Sequence, residues 1–244
     1  IYIDKVKSSA TYGIGSGIVW DSDPEAELAE SFAKAKILNF PSLSFELFET
    51  MKYTPREGIY LVEEHFDRIK SSALRFNYRF DENEAKALLA AIDNDDPQRV
   101  RLVVNKKGVP RLESSPLNIS RKEVQLKVAK HPIDSDNIFL FHKTTNREVY
   151  ERAKKEVCDC DDVLLFNERG QITETTTANI FLEKKGALLT PPIECGLLPG
   201  TLRASLLKKK EVTEKILTFD DLSIADNIFV GNSVRGLQRA KVIE

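Results

Sequence analysis

Between residues 42 and 128 the apolar positions change period repeatedly, which restricts the chain to a fold in which helices and strands share a core. Residues 44–51 and 58–62 have strand character around the turn Thr54-Pro55-Arg56-Glu57, where proline and then Gly58 punctuate the chain. Val62, Phe66, Ile69, Ala73 and Phe76 follow at steps of four and three, the apolar stripe of an amphipathic helix, with His65, Arg68 and Ser72 on the adjacent stripe. Residues 82–92 read as a second helix. A hairpin is expected from 99–105 and 109–113 around Lys106-Lys107-Gly108, and Val124, Leu126 and Val128 alternate as one more strand. The pattern predicts an α+β fold.

After about residue 135 a second layer begins. A helix is expected over 144–157, and strands over 162–167, 171–174 and 178–183, the first two joined by Asn167-Glu168-Arg169-Gly170. Leu198-Pro199-Gly200-Thr201 then opens another helix, whose first amides are unpaired and suited to holding an anion. Two subdomains, 38–135 and 136–244, are expected.

Residues 1–37 differ in character. They read as a strand over 11–20 and a helix capped by Asp21 or Ser22, with Pro24 in its first turn. The run from Gly13-Ile14-Gly15-Ser16-Gly17 to Pro24-Glu25-Ala26-Glu27, with Glu30 and Lys34 beyond, resembles the C-terminal end of chorismate-utilising enzymes, the anthranilate and aminodeoxychorismate synthase family. In that resemblance Glu27 and Glu30 match magnesium ligands, and three-residue spacing does put them on one helix face. One turn and one helix of so large a domain imply a leftover without the remaining contacts, so no metal is expected.

Composition excludes several classes. The chain of 244 residues has 41% hydrophobic residues, enough for a sizeable core, and a formal net charge of −2, which offers no field for a polyanion such as nucleic acid. No apolar run approaches the roughly 18 residues of a membrane span, and the first residues lack a signal-peptide pattern. Cys158, Cys160 and Cys195 are an odd set without metal-like pairing, which favours a reducing, cytoplasmic setting.

Six further elements occur in order. They are Phe48-Glu49-Thr50; His65-Phe66-Asp67-Arg68; Lys143-Thr144-Thr145-Asn146-Arg147; the run Gln171-Ile172-Thr173-Glu174 through Asn179-Ile180-Phe181; Leu198-Pro199-Gly200-Thr201-Leu202-Arg203; and Gly231-Asn232-Ser233. Together they resemble the class IV aminotransferases, the branched-chain and D-amino acid aminotransferase-like enzymes. The resemblance implies a two-subdomain, fold-type IV enzyme that uses pyridoxal 5'-phosphate. That cofactor is an electron sink, tethered through a lysine amine, protonated at its ring nitrogen and gripped by its phosphate.

The resemblance makes Lys143 the tether and later the proton carrier, Glu174 the partner of the ring nitrogen, and Arg68 a phosphate ligand. The amides of Thr201 and Leu202, with the Asn232-Ser233 turn, complete the phosphate site. Leu202 and Asn232 stand where the family has threonines, so hydroxyl contacts are lost there. Arg101 is the candidate for a substrate carboxylate, and Thr50 for a proton donor to the leaving group, although a buried structural threonine is the simpler reading of Thr50. Taken alone, Lys143 is one of many lysines, Arg68 would pair on the surface with Glu64 or Asp67, and Glu174 fits the solvent face of a strand equally well. His65 and His142 read as structural.

Lys143 followed by Asn146-Arg147 is closer to the aminodeoxychorismate lyases. The leading expectation is therefore a lyase that splits 4-amino-4-deoxychorismate into 4-aminobenzoate and pyruvate. A synthase fragment ahead of a lyase would place consecutive steps of folate synthesis on one chain. The alternatives are a transaminase for branched-chain or D-amino acids, and a non-catalytic remnant that docks on a synthase. A homodimer is expected, because family members complete each pocket with a neighbour's loop. A glutamine amidotransferase is a possible partner of the parent synthase.

Overall fold

In a computed structural model the chain divides into two compact units, Ile1–Ser44 and Phe45–Glu244, and the residues described are 2–4, 9–15, 17, 19–20, 22–35, 44–118 and 122–243. The first unit holds an antiparallel pair, β1 (Tyr2–Asp4) and β2 (Ser9–Thr11), and one helix, α1 (Pro24–Ala35). The strand expected over 11–20 does not form beyond Thr11 among the described residues. Gly13, Gly15 and Gly17 explain this, since glycine offers a ladder no side chain to pack and loses the most backbone freedom. Helix α1 is capped by Asp23, whose Oδ1 accepts from the amides of Glu25 and Ala26, both at 2.9 Å. Of the expected caps, Asp21 lies outside the described residues. Ser22 instead accepts from the Val19 amide at 3.0 Å and donates to Glu27 Oε1 at 3.0 Å. Glu30 pairs with Lys34 at 2.6 Å.

The second unit opens with a four-stranded antiparallel sheet and two helices. Its elements are β3 (Leu47–Thr54), β4 (Gly58–Ile59), α2 (Val62–Phe76), α3 (Glu82–Ala90), β5 (Gln98–Val104) and β6 (Pro110–Pro116), with sheet order β4-β3-β5-β6. Strand alternation sorts the two faces. Leu47 and Met51 of β3 join Val100, Leu102 and Val104 of β5 against Phe66, Ile69 and Ala73 of α2. Phe66 is 1% exposed, so its burial alone contributes roughly 2–3 kcal/mol. Phe48 and Thr50 of β3 and Arg99 and Arg101 of β5 are left for the opposite face, with Thr50 directly across from Arg101.

The rest comprises β7 (Val124–Val128), α4 (Glu148–Glu156), β8 (Asp162–Phe166), β9 (Ile172–Thr175), β10 (Asn179–Lys184), β11 (Ala187–Thr190), α5 (Thr201–Lys208), β12 (Thr213–Glu214), α6 (Phe219–Ser223), β13 (Asn227–Asn232) and β14 (Gly236–Val242). The strands run β12-β11-β10-β13-β14-β7-β8-β9, and β9 also pairs with β10 through Glu174 and Asn179, closing the sheet into a ring. Among the described residues no helix is long and apolar enough to cross a membrane.

One helix is shorter than its sequence predicts. Residues 144–147 do not join α4, because the segment is drawn into an extended bridge with β3. The Phe48 amide donates to the Lys143 carbonyl at 3.1 Å, and the Thr145 amide to the Glu46 carbonyl at 2.8 Å. Three backbone-linked residues outweigh the weak helical preference of two threonines. That bridge carries Lys143 to the first sheet.

Candidate active site

A cavity of about 530 Å³ lies where the first sheet meets the ring of strands and the start of α5. Phe48, Thr50, Arg99 and Arg101 line one wall, and Lys143, Arg147 and Glu174 line another. Lys143 Nζ stands 4.9 Å from the centre of the Phe48 ring, and the Arg101 guanidinium stands 4.3 Å from the same centre. No acceptor among the described residues hydrogen-bonds the Lys143 amine. Loss of solvent around it is the main reason its pKa falls to about 7, and the charges of Arg68 and Arg147 lower it further against Glu49 and Glu174. The result is an amine that is substantially neutral, hence nucleophilic and basic, near neutral pH.

Glu174, on β9, is 3% exposed. Burial raises its pKa to about 7, against hydrogen bonds from Tyr150 and the Leu198 amide and the charges of Arg147 and Lys143. Tyr150 OH donates to Oε1 at 2.8 Å and the Leu198 amide to the same oxygen at 3.1 Å. Asn179 Nδ2 reaches Oε2 at 3.3 Å and also donates to the Leu198 carbonyl at 3.0 Å. The threonine run beyond Glu174 folds around buried Asp162. This carboxylate accepts from the hydroxyls of Thr175 at 2.9 Å and Thr177 at 2.5 Å, and from the Thr176 hydroxyl. Arg147 Nη2 donates to the Thr176 carbonyl at 2.6 Å.

Arg68 is held by Glu49, which β3 projects toward α2. Its Nε donates to Glu49 Oε1 at 2.8 Å, Nη2 to Oε2 at 2.5 Å, and Nη1 to the Pro199 carbonyl at 3.1 Å. This bidentate fork fixes the guanidinium beside the start of α5 while one edge still faces the cavity. Its acidic partner is Glu49, not the Glu64 or Asp67 that Arg68 taken alone would pair with on the surface. Burial would raise the Glu49 pKa, but the charge and hydrogen bonds of Arg68 and His65 win and hold it near 2. His65 Nδ1 lies 2.6 Å from Glu49 Oε2, and its Nε2 lies 3.4 Å from Thr201 Oγ1. Burial lowers the His65 pKa despite Glu49. The neutral ring thus donates through Nδ1 and accepts the Thr201 hydroxyl at Nε2, so Thr201 meets the cavity with its amide free.

Gly200 precedes that amide, and a Cβ there would lie 1.9 Å from Asn179 Oδ1, so only glycine fits. The Leu202 side chain packs with Phe181, Leu206 and Val212 in the core, which leaves its amide as the group it can offer an anion. Asn232 and Ser233 line the cavity. Asn232 Oδ1 accepts from the amides of Val234 and Arg235, both at 3.0 Å, and Ser233 Oγ donates to the Thr50 carbonyl at 3.4 Å.

The cavity therefore gathers Lys143, Thr50, Arg68, Glu174, Thr201, Asn232, Ser233 and Arg101, and excludes the Leu202 side chain. Sequence reasoning passed over Tyr150, Asp162 and Glu49. Tyr150 has a signal: it lies two residues after Glu148 opens α4, on the buried stripe it shares with Ala153. Asp162 heads the apolar strand Asp162-Val163-Leu164-Leu165-Phe166, where an acid must find donors. The donors fit a group bearing a phosphate, an amine-reactive carbon and a basic ring nitrogen, as pyridoxal phosphate does.

Comparison with known proteins assigns the chain to families. Residues 46–243 match the family "Amino-transferase class IV", and residues 2–39 match the family "chorismate binding enzyme". The chain is 28% identical over 208 residues to a Schizosaccharomyces pombe protein named "Putative aminodeoxychorismate lyase", covering 81% of this chain and 89% of that one. It is 31% identical over 211 residues to a Thermotoga maritima protein named "Probable branched-chain-amino-acid aminotransferase", covering 80% and 76%. A crystal structure from Mesorhizobium loti, titled as a "Putative amino-acid aminotransferase", superposes with a TM-score of 0.78 at 37% identity, covering 82% of this chain and 100% of that one.

Proposed function

We propose an activity from one premise: the chain belongs to the class IV amino-transferase family, whose members depend on pyridoxal phosphate. Within that family we read it as a lyase that converts 4-amino-4-deoxychorismate into 4-aminobenzoate and pyruvate. The observation that carries this reading is the charge of the cavity. Beyond Arg68, the arginines Arg99, Arg101, Arg147 and Arg235 all line it. Among the described residues Arg99 and Arg235 have no acidic partner, and Arg101, which pairs with Glu113 at 3.2 Å through Nη1, keeps a buried Nε without an acceptor. Such a wall suits a substrate with two carboxylates, whereas a branched aliphatic side chain would call for an apolar one. The chorismate-binding match over residues 2–39 supports the same reading, since it belongs to a family that handles the same class of ring.

Pyridoxal phosphate, when bound, supplies the electron sink. Lys143 would hold it covalently through Nζ; Arg68 and the amides of Thr201 and Leu202 would grip its phosphate; Glu174 would keep a proton on its ring nitrogen. With the substrate amine in its place, Lys143 would be a free amine, held in a cavity that disfavours its charged form and suited to take the proton from the carbon bearing that nitrogen. Loss of that proton and cleavage of the neighbouring carbon–oxygen bond leave an aromatic ring and an enolpyruvate, which takes up a proton to become pyruvate. Thr50, on the cavity wall across from Arg101, is the candidate donor of that proton.

With aminodeoxychorismate as the only substrate, the expected result is steady turnover to 4-aminobenzoate and pyruvate in equal amounts, without a keto-acid acceptor. A requirement for a keto acid, with faster conversion of branched-chain or D-amino acids, would identify an aminotransferase instead.

A further inference from the structure

Glu174 has two unlike oxygens. Oε1 takes both good donors, Tyr150 OH at 2.8 Å and the Leu198 amide at 3.1 Å, while Oε2 has only the longer contact from Asn179 at 3.3 Å. The phenol is itself fixed. The Arg147 guanidinium lies 4.2 Å from its ring centre and is anchored on the Thr176 carbonyl, and the ring packs with Ala153, Val163 and Leu165. Among the described residues, Glu174 is the one hydrogen-bond partner of Tyr150 OH. The helix that follows the Lys143 segment thus holds the acid through Tyr150.

We propose that Tyr150 is a positioning residue, whose phenol pins Glu174 Oε1 and so aims Oε2, as an ionised acceptor, at the cofactor's ring nitrogen. This rests on the assignment of Lys143 and Glu174 made above. Burial works against an ionised Glu174, and the Tyr150 hydrogen bond is the largest of the effects that oppose it. The titratable and charged groups facing Glu174 are Tyr150 from α4, and Arg147 and Lys143 from the segment before it. Arg147 and Lys143 are also committed elsewhere, one to Thr176 and Tyr150, the other to the cofactor. Of these three groups, Tyr150 is the one with a direct hydrogen bond to the Glu174 carboxylate.

The test uses holoprotein reconstituted with pyridoxal phosphate labelled with ¹⁵N in its ring, following the nitrogen's chemical shift against pH. Tyr150→Phe keeps the ring and removes one donor to a carboxylate. The pH at which the ring nitrogen is half protonated should fall by at least about one unit. Turnover should drop about tenfold in kcat with KM little changed. Replacing Tyr150 by 3-fluorotyrosine, whose phenol is the stronger donor, should move that midpoint the other way; it also serves if the phenylalanine variant fails to fold. Midpoints that stay at the wild-type value in the variants that fold, with unchanged kcat, would reduce Tyr150 to a packing residue. A wild-type protein with no cofactor on Lys143, or with an unprotonated ring nitrogen, would overturn the site assignment itself and with it this role.

Discussion

Lys143→Ala is expected to abolish turnover of aminodeoxychorismate, a loss of at least about 10⁴-fold, because in the proposed reaction one amine would serve as both tether and base. The fold should survive, since the bridge to β3 is made by the backbone of residues 143–145 and needs no lysine side chain. Stability carries a signature of its own. The Lys143 pKa is about 7 in the folded protein, and an unfolded lysine titrates near 10.4. Between those values the unfolded chain binds more protons, so Lys143 makes the wild-type apoprotein more stable as pH rises from about 7 to about 10. Melting curves of the alanine variant should lack that part of the rise, and the variant should melt no lower than wild type at pH 7. A variant that retains more than about 1% of turnover would show that another group removes the proton.

Glu49→Ala should have the largest effect on stability. The carboxylate is 1% exposed and holds Arg68 by two hydrogen bonds and His65 by a third. Its removal leaves a nearly buried guanidinium uncompensated and strips the Nδ1 partner from a buried imidazole, a cost of about 3–5 kcal/mol. For a chain of this size that is a fall in melting temperature on the order of 10 °C. The pH dependence has the opposite sign to that of Lys143. Because the Glu49 pKa is depressed from 4.5 to about 2, its contribution is complete above about 4.5 and is lost as pH falls toward 2. The variant should therefore lose less stability than wild type on acidification through that window. Calorimetric melts at about pH 7 and about pH 2.5 test both statements, and equal melting temperatures near neutral pH would contradict the buried clamp.

Elements with a strong period were legible in the sequence. The stripe Val62, Phe66, Ile69, Ala73 and Phe76 gave α2 within its observed bounds, Val62–Phe76, and the turn at Lys106-Lys107-Gly108 joined β5 to β6 as expected. What failed depended on partners far away in sequence. Residues 144–147 looked helical because nothing local reveals that Glu46 and Phe48 will pair with 143–145. The acids near Arg68 on its own helix, Glu64 and Asp67, do not hold it; its partner lies 19 residues earlier, on the inward face of β3. At the site, the family-like motifs brought Lys143, Glu174, Arg68 and Thr201 into view, yet the residues that hold them in place were missed. Glu49 stood inside the motif Phe48-Glu49-Thr50, where alternation alone sends it to the face away from the cavity. Tyr150 and Asp162 were hidden by their ordinary local settings, a tyrosine on a core stripe and an acid at a strand's head.

Lys143 is proposed as the lysine that carries the cofactor, in a cavity lined by Glu174, Arg68 and the start of α5. The most direct test is borohydride reduction of the pyridoxal-phosphate-saturated protein, followed by peptide mapping of the label. The expected result is a single labelled peptide with the modification on Lys143, and a yellow protein before reduction. Label on another lysine, or none at saturation, would contradict it.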